Sequence, residues 1–236
     1  MNHLIFVTGT DTGVGKTVVT CALLRALRAR GETPLPIKPV ETGCADLDQP
    51  EDGLFLSAAA GGLPLSEVCP VRYRTPAAPA TAARREGSRH TFDGVVAHIR
   101  AVQSRGHRVV VEGAGGLLVP LDGTRTFADL AVALGASLVV VARDALGTLN
   151  HTGLTLEAAK SRGIPVLAVM LNAVAAPDAV FIDHGAELRV LWPGVPVLGP
   201  TCRMNNPQST TMSDDISILK LVDLIHTQST DIIADN

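Results

Sequence analysis

Short apolar runs alternate along the chain with stretches whose apolar residues recur at helical spacing. The apolar runs lie at 4–7, 35–38, 108–112, 137–142, 165–171 and 195–198. Helical patterns lie at 16–30, 52–60, 92–105, 126–134, 149–162, 178–190 and 214–227. Strands that are apolar throughout and separated by amphipathic helices are typical of a parallel sheet covered on both faces. We therefore predict a doubly wound, mostly parallel α/β fold.

Composition favours one domain with a large aliphatic core. The 236 residues include 46% hydrophobic but only 3% aromatic residues, and no polar linker interrupts them. This profile suits Val, Ala and Leu in buried parallel strands rather than an aromatic-rich barrel. We predict a single domain over 1–236, in which 75–85 form a long ordered loop and about 200–236 form an exposed loop and a final helix.

Charge and hydropathy argue against two classes of partner. The formal net charge is −3, and no Lys/Arg cluster is interleaved with aromatic residues, so we expect no nucleic-acid partner. No apolar run approaches the roughly 20 residues that span a bilayer, and the N-terminus lacks a signal-peptide pattern. We expect a cytoplasmic protein with no membrane partner. The 4 cysteines and 7 histidines show no spacing typical of a transition-metal site.

A glycine-rich loop at 8–17 joins the first predicted strand to a helix. Its backbone N–H groups can turn onto phosphate oxygens, Lys16 supplies a positive charge, and the Thr17 hydroxyl can bind Mg²⁺. The match to the common phosphate-loop pattern is imperfect, because Thr10 stands at the first glycine position and Gly9 lies one residue earlier. The order of strand, glycine loop and helix nevertheless predicts nucleotide binding.

Two carboxylates are candidate metal ligands. Glu112 ends a predicted strand and is followed by the glycine-rich stretch 113–116. Mg²⁺ prefers oxygen ligands and usually takes one or two protein carboxylates, so Glu112 with Thr17 fits that chemistry. Asp52 is the second candidate, although it could instead cap the helix that it precedes, and Asp48 remains an alternative to it.

Lys38 stands at the end of the second predicted strand, which we expect to lie beside the first. A lysine between nearly buried strand ends is costly unless it meets an anion. We therefore expect Lys38 to face the transferred phosphoryl group or an anionic substrate. The alternative is a surface lysine that only lays its aliphatic stem along the protein.

Four motifs in matching order resemble the dethiobiotin synthetase family, over about residues 4–172. They are Thr8 to Thr17, Lys38-Pro39-Val40 with Thr42-Gly43, Val111-Glu112-Gly113-Ala114-Gly115-Gly116, and Gly147-Thr148-Leu149-Asn150-His151. The resemblance implies a P-loop NTPase fold and an ATP-dependent ligase of biotin biosynthesis. Such an enzyme carboxylates 7,8-diaminononanoate with CO₂, phosphorylates the carbamate with ATP, and closes the ureido ring to give dethiobiotin, ADP and phosphate.

The resemblance also implies a role for each matching residue. Lys16, Lys38 and Thr12 would act at the reacting groups, and Thr17, Asp52 and Glu112 would hold Mg²⁺. The residues implied to bind ATP are Gly13, Val14, Gly15, Lys16, Thr17, Val18, Asp52, Glu112, Gly113, Ala114, Gly115 and Asn172, the last through the base. Those implied to bind the substrate are Thr42, Lys38, Gly147, Leu149 and Asn150. The segment around Asn150 would reach the substrate's carboxylate across the interface of a homodimer.

Some positions depart from the family pattern. Gly13 stands where some members have glutamate, and Ala173 where aspartate is common. Residues 200–212 do not show the family's base-contacting loop, which leaves nucleotide selectivity open. The alternative function is a nucleotide-switched ATPase or binding protein of the partition type. That alternative is disfavoured because such proteins carry a signature lysine at the position of Asp11.

Overall fold

A computed structural model describes residues 4–173, 182–201, 207–208 and 214–234. The strands of this part are β1 (Ile5–Gly9), β2 (Leu35–Ile37), β3 (Val40–Thr42), β4 (Val71–Tyr73), β5 (Val109–Gly116), β6 (Pro120–Asp122), β7 (Arg125–Thr126), β8 (Ser137–Arg143), β9 (Val166–Asn172) and β10 (Val197–Thr201). The helices are α1 (Lys16–Ala29), α2 (Glu51–Ala59), α3 (Leu65–Val68), α4 (Pro79–Arg85), α5 (Phe92–Gln103), α6 (Phe127–Leu134), α7 (Thr148–Lys160), α8 (His184–Leu191) and α9 (Ile216–Ala234).

The centre of the fold is a six-stranded parallel sheet in the order β10-β9-β8-β1-β5-β2. Phe6 on β1 belongs to the apolar cluster on one face, while Ile5 and Val7 belong to the cluster on the other face. This alternation follows from the two-residue period of a strand. Because helices cover both faces, the strands are apolar throughout, and the predicted doubly wound parallel fold is confirmed.

The predicted strand neighbours were wrong in one respect. β2 does not lie beside β1, because β5 is inserted between them and pairs with both. In doubly wound sheets the chain order of strands is not their spatial order, and short apolar runs carry no signal of which strand pairs with which. Lys38 therefore follows a strand next to β5, with Ile37 in register with Val111.

Several local predictions also need correction. Residues 79–85 form helix α4 rather than a loop, because Pro79 sets the helical φ at the first turn and alanines follow it. β5 continues to Gly116 instead of ending at Glu112. The helix predicted at 178–190 begins at His184 within the described part, where Asp183 caps it, and 178–181 lie outside the described residues. The two-stranded sheets β3–β4 and β6–β7 had not been predicted.

The last helix, α9, packs against α1 and against strands β9 and β10 of the sheet. Its residues Ile218, Leu221, Val222 and Ile225 are buried in the same apolar cluster as α1. No helix among the described residues is long and apolar enough to cross a membrane. The phosphate-loop helix α1 is therefore held by α2 and α9 as well as by the sheet.

A carboxylate at the end of α1 ties α9 to the sheet. Glu32 binds Arg108 Nε at 2.7 Å, and its Oε1 also contacts His226 Nε2 on α9. Burial alone would raise the pKa of Glu32, but the hydrogen bonds from Arg108 and His226 lower it overall. A lowered carboxyl pKa contributes stability above the unfolded value, and this stability is lost as pH falls through the folded value.

We expect Glu32→Gln to lower the melting temperature at pH 7. The free energy of unfolding should fall by only about 1 kcal/mol, because the Glu32 carboxylate is partly exposed and its ion pairs are screened. The difference in melting temperature between the variant and the unchanged chain should shrink as pH falls below about 4, because Glu32 then becomes protonated in the folded as well as the unfolded chain. Thermal melts across that range measure it, with exposed Glu157→Gln as the control. A constant difference at every pH would contradict this ion-pair account.

Candidate functional site

A cavity of about 710 Å³ opens at the carboxyl ends of the central strands. Its walls come from the phosphate loop, the Lys38–Thr42 region, the start of α2, residues 76–79 and the end of β5. In open parallel sheets, ligands bind in the crevice outside the carboxyl ends of the strands. Its volume is in the usual range for small-molecule sites.

The phosphate loop points its backbone toward this cavity. Gly13 and Gly15 have φ values of 72° and 91°, a left-handed conformation that glycine adopts without steric cost. Gly15 directly precedes α1, and no side chain caps the first turn of that helix. The helix N-terminus thus presents N–H donors and its positive dipole end to the cavity, as an anion-binding helix does.

Gly9 explains the displaced glycine of the loop motif. A Cβ on this residue would lie 2.8 Å from the Asp11 carbonyl oxygen, 2.9 Å from Val14 Cγ2 and 3.0 Å from Lys16 Nζ. The loop folds back directly over residue 9, so this position accepts only a hydrogen. The common motif has its glycine at position 10, whereas this loop needs one at position 9.

Lys16 folds back onto its own loop. Its Nζ donates a 3.1 Å hydrogen bond to the Asp11 carbonyl oxygen, and only 7% of the residue is exposed. Burial, followed by repulsion from Lys38, lowers the pKa of Lys16 to about 8. The ammonium is poorly solvated and lies where an anion would relieve that cost.

Lys38 is held between two carboxylates. Its Nζ donates to Asp52 Oδ2 and to Glu112 Oε1, each at 2.7 Å. Burial alone would lower the pKa of Lys38, but Glu112 and Asp52 outweigh it and raise the pKa, so the ammonium stays charged. The same ammonium outweighs burial at Asp52 and lowers the pKa of that carboxyl.

The Thr17 hydroxyl lies between the same two carboxylates. Its Oγ1 is 2.8 Å from Asp52 Oδ1 and 2.9 Å from Glu112 Oε1. Glu112 is fully buried, and its second oxygen, Oε2, has no hydrogen-bond partner within the part of the chain that the structure describes. A buried carboxylate oxygen without a partner is costly and suits a cation. The oxygens of Thr17, Asp52 and Glu112 therefore fit Mg²⁺.

The structure separates Asp52 from its alternative, Asp48. Asp48 is exposed, and its backbone N–H binds the carboxylate of Asp46 in a local turn. Asp52 instead contacts both Thr17 and Lys38. Of the two, only Asp52 lies at the predicted metal position.

The other predicted residues divide into two groups. Thr12, Val18, Thr42, Ala114 and Gly115 line the cavity. Gly113 instead packs under Phe6, where a Cβ would be 3.1 Å from the ring, while its carbonyl oxygen accepts from Lys38 Nζ at 3.4 Å.

Gly147, Leu149 and Asn150 are not among the residues that line this cavity. Gly147 precedes α7 with a φ of 91°, at the end of β8. Leu146 beside it is 85% exposed. Within one copy of the chain, this predicted substrate-binding segment therefore lies apart from the carboxylates.

Asn172 is buried at the end of β9 and connects two parts of the site. Its Nδ2 donates to the Val14 carbonyl oxygen at 2.9 Å, and its Oδ1 accepts from the Thr201 hydroxyl at 2.7 Å. One N–H and one lone pair of the amide remain for a base. Most of the stretch 200–212, which lacks the family's base-contacting pattern, lies outside the described residues: 202–206 and 209–212.

Sequence reasoning missed Glu41 and the cavity wall at 76–79. Glu41 is 6% exposed, and its oxygens accept the backbone N–H groups of Asp52 and Gly53 at 3.1 and 2.9 Å. Burial and then repulsion from Asp52 raise the pKa of Glu41, whereas the N–H bonds oppose that rise. Its place inside the Lys38–Gly43 motif was the one available signal.

Comparison with known proteins agrees with this geometry. The family described as an AAA domain matches residues 3–202. The ATP-dependent dethiobiotin synthetase BioD of Anaeromyxobacter sp. (strain Fw109-5) is 51% identical over 175 residues, which cover 74% of this chain and 78% of that protein. The protein of the same name from Ralstonia nicotianae is 40% identical over 92% of this chain and 96% of its own length.

Among solved structures, the Pyrococcus furiosus cell division ATPase MinD superposes with a TM-score of 0.55 and 19% identity. It covers 97% of this chain and 100% of that one. At this identity the likeness shows a shared P-loop NTPase fold only. The sequence matches go further, and with them the chain belongs to the dethiobiotin synthetase family of ATP-dependent ligases.

Proposed function

We propose that this chain converts 7,8-diaminononanoate, CO₂ and ATP into dethiobiotin, ADP and phosphate. The observation that carries the proposal is the ammonium of Lys38 held between Asp52 and Glu112, beside the phosphate loop. This arrangement offers a fixed positive charge and a set of oxygen ligands where a γ-phosphate would lie. The names of the relatives supply the substrate class.

The reaction has three steps. One amine of the substrate adds to CO₂ and loses a proton, which gives a carbamate. A carbamate oxygen then attacks the γ-phosphorus, and ADP leaves. The second amine attacks the carbonyl carbon of the mixed anhydride and loses a proton, phosphate leaves with the C–O bond electrons, and the ureido ring closes. The protein's main contribution to such a phosphoryl transfer is to fix positions and charges.

In this proposal Lys16, Lys38 and Thr12 act at the reacting groups. Lys16 is oriented by the Asp11 carbonyl, and Lys38 by its two carboxylates, so neither ammonium has to reorganise as negative charge develops. The γ-phosphate would also raise the lowered pKa of Lys16, since an anion favours the charged form. Thr12 and Thr42 would hydrogen-bond the carbamate end of the substrate.

Thr17, Asp52 and Glu112 would hold Mg²⁺, which supplies charge neutralisation at the phosphate oxygens. The ATP phosphates would lie on the backbone of Gly13, Val14, Gly15, Lys16, Thr17 and Val18, with Ala114 and Gly115 opposite. Asn172 would read the base with the donor and acceptor that its protein contacts leave over.

Gly147, Leu149 and Asn150 would bind the substrate's carboxylate from the partner of a homodimer. Support for this comes from Leu146 and Leu154, which flank that segment and are 85% and 63% exposed, and from Leu118, which is 49% exposed and lines one pocket with Leu154. Apolar side chains exposed together often mark an interface. A cytoplasmic location is part of the same proposal.

The proposal is tested by phosphate release with Mg-ATP, bicarbonate and 7,8-diaminononanoate, with each component omitted in turn and dethiobiotin followed by mass. We expect release to require every component and to match dethiobiotin formation one to one. Release that is indifferent to the diamine would favour a nucleotide-switched ATPase of the partition type instead.

A further inference from the structure

The first turn of helix α2 carries Asp52, but the helix has no N-cap side chain that could accept its free N–H groups. Its N-cap residue is Pro50, which has no side-chain hydrogen-bond acceptor, and the first intrahelical bond runs from the Leu54 N–H to the Pro50 oxygen at 2.9 Å. The N–H groups in the turn between them have no partner in the helix. A helix start of this kind frays unless another element satisfies those donors.

Glu41 satisfies them from outside the helix. One carboxylate oxygen accepts the Asp52 N–H at 3.1 Å, and the other accepts the Gly53 N–H at 2.9 Å. Glu41 belongs to β3, whose position is fixed by parallel pairing with β4. The backbone of Asp52 is thereby attached to a sheet rather than left at a free helix end.

A second contact, with Cys69, fixes the same turn. A Cβ on Gly53 would lie 2.7 Å from Cys69 Cβ and 3.3 Å from Pro50 Cγ, so α2 approaches Cys69 as closely as a glycine allows. The Cys69 thiol also lies 3.6 Å from Glu41 Oε2. The first turn of α2 therefore has one position, set by Glu41 and by Cys69.

We propose that Glu41 is a positioning residue that sets the metal affinity of the site through Asp52, an inference that rests on the proposed function. Asp52 must place one oxygen at Thr17 and the other at Lys38, 2.8 and 2.7 Å away. A shift of the Asp52 backbone would therefore disturb its contacts with Thr17 and with Lys38 at the same time. Glu41 itself does not contact Thr17 or Lys38 in the hydrogen bonds of the described residues.

The test compares Mn²⁺ binding, followed by electron paramagnetic resonance in the presence of ADP, among the unchanged chain and three variants. Glu41→Gln has nearly the same shape but can accept only one of the two N–H groups, and Glu41→Ala can accept neither. Glu51→Gln is the matched control, because Glu51 is an exposed acid in the same helical turn.

We expect Glu41→Gln to weaken Mn²⁺ binding about tenfold and Glu41→Ala to weaken it up to about a hundredfold, because groups that orient metal ligands usually have effects of this size. Glu51→Gln should leave Mn²⁺ binding unchanged. The Mg²⁺ concentration for half-maximal turnover should rise in the same proportion, and excess Mg²⁺ should restore most of kcat. If Glu41→Ala does not fold, the Mn²⁺ affinity of Glu41→Gln alone tests the inference.

A purely structural role gives a different result. Glu41→Gln would then lower the melting temperature while Mn²⁺ affinity stayed that of the unchanged chain, and the inference would be overturned. An unchanged chain that itself binds no Mn²⁺ with ADP would overturn the proposed metal site as well. The two failures are therefore distinguished by the unchanged chain alone.

Discussion

Lys38→Ala is expected to lower kcat by about 100- to 1000-fold, the usual loss when one fixed donor to developing charge is removed. The side chain is 4% exposed and its Nζ lies 2.7 Å from each of two carboxylate oxygens, so water that fills the space left by alanine cannot supply the same fixed positive charge. Single-turnover phosphate release with saturating Mg-ATP measures the chemical step. Near-normal turnover would remove Lys38 from the mechanism.

The same substitution should also destabilise the protein when no metal is present. It leaves Asp52 and the fully buried Glu112 without their ammonium, and breaking a buried ion pair from one side costs about 3–5 kcal/mol. Mg²⁺ with ADP should restore much of this loss, because the cation takes over the charge balance. Thermal melts with and without Mg-ADP measure both effects, with exposed Lys160→Ala as the control.

Gly9→Ala is expected to weaken ATP binding by about 10- to 100-fold, equivalent to the 1–3 kcal/mol that overpacking usually costs. The added methyl would collide with the Asp11 carbonyl, with Val14 and with Lys16, so the loop must move away from the helix N-terminus. Calorimetric titration with Mg-ATP measures the affinity.

The control for this loop prediction is Gly194→Ala. Nothing lies within 4 Å of a Cβ at Gly194, and its φ is not positive. Its ATP affinity should equal that of the unchanged chain. An unchanged affinity in Gly9→Ala would mean that the loop tolerates a shift of its first residue, and the account of the displaced glycine would be wrong.

Hydrophobic periodicity was sufficient to predict the fold class. Strands such as β1 and β8 are buried throughout, and a strand covered on both faces has no polar alternation to confuse with a helix. The pattern could not predict that β5 separates β1 from β2, since pairing depends on contacts between distant residues. It also missed α4, because alanine-rich segments beside prolines satisfy a loop and a short helix equally well.

The candidate site was predictable where one short segment carries its own chemistry. The phosphate loop, Lys38 and Glu112 each follow or end a strand that the sequence predicts, and the structure brings them together. The contribution of Glu41 was not predictable, because its partners are backbone N–H groups of residues 52 and 53. Every residue except proline has a backbone N–H, so the residue types at 52 and 53 do not indicate that a carboxylate binds there.

The packing of α9 against α1 has a consequence for genetic screens. Helix α1 begins at the phosphate loop and packs against α9, whose Ile218, Leu221, Val222 and Ile225 belong to the same apolar cluster. A polar substitution at any of these positions would shift α1 and lower nucleotide affinity from the far end of the chain. A screen for lost activity would therefore detect variants at these four positions together with variants of residues that contact ATP. Only the lowered melting temperatures of the α9 variants would separate the two groups.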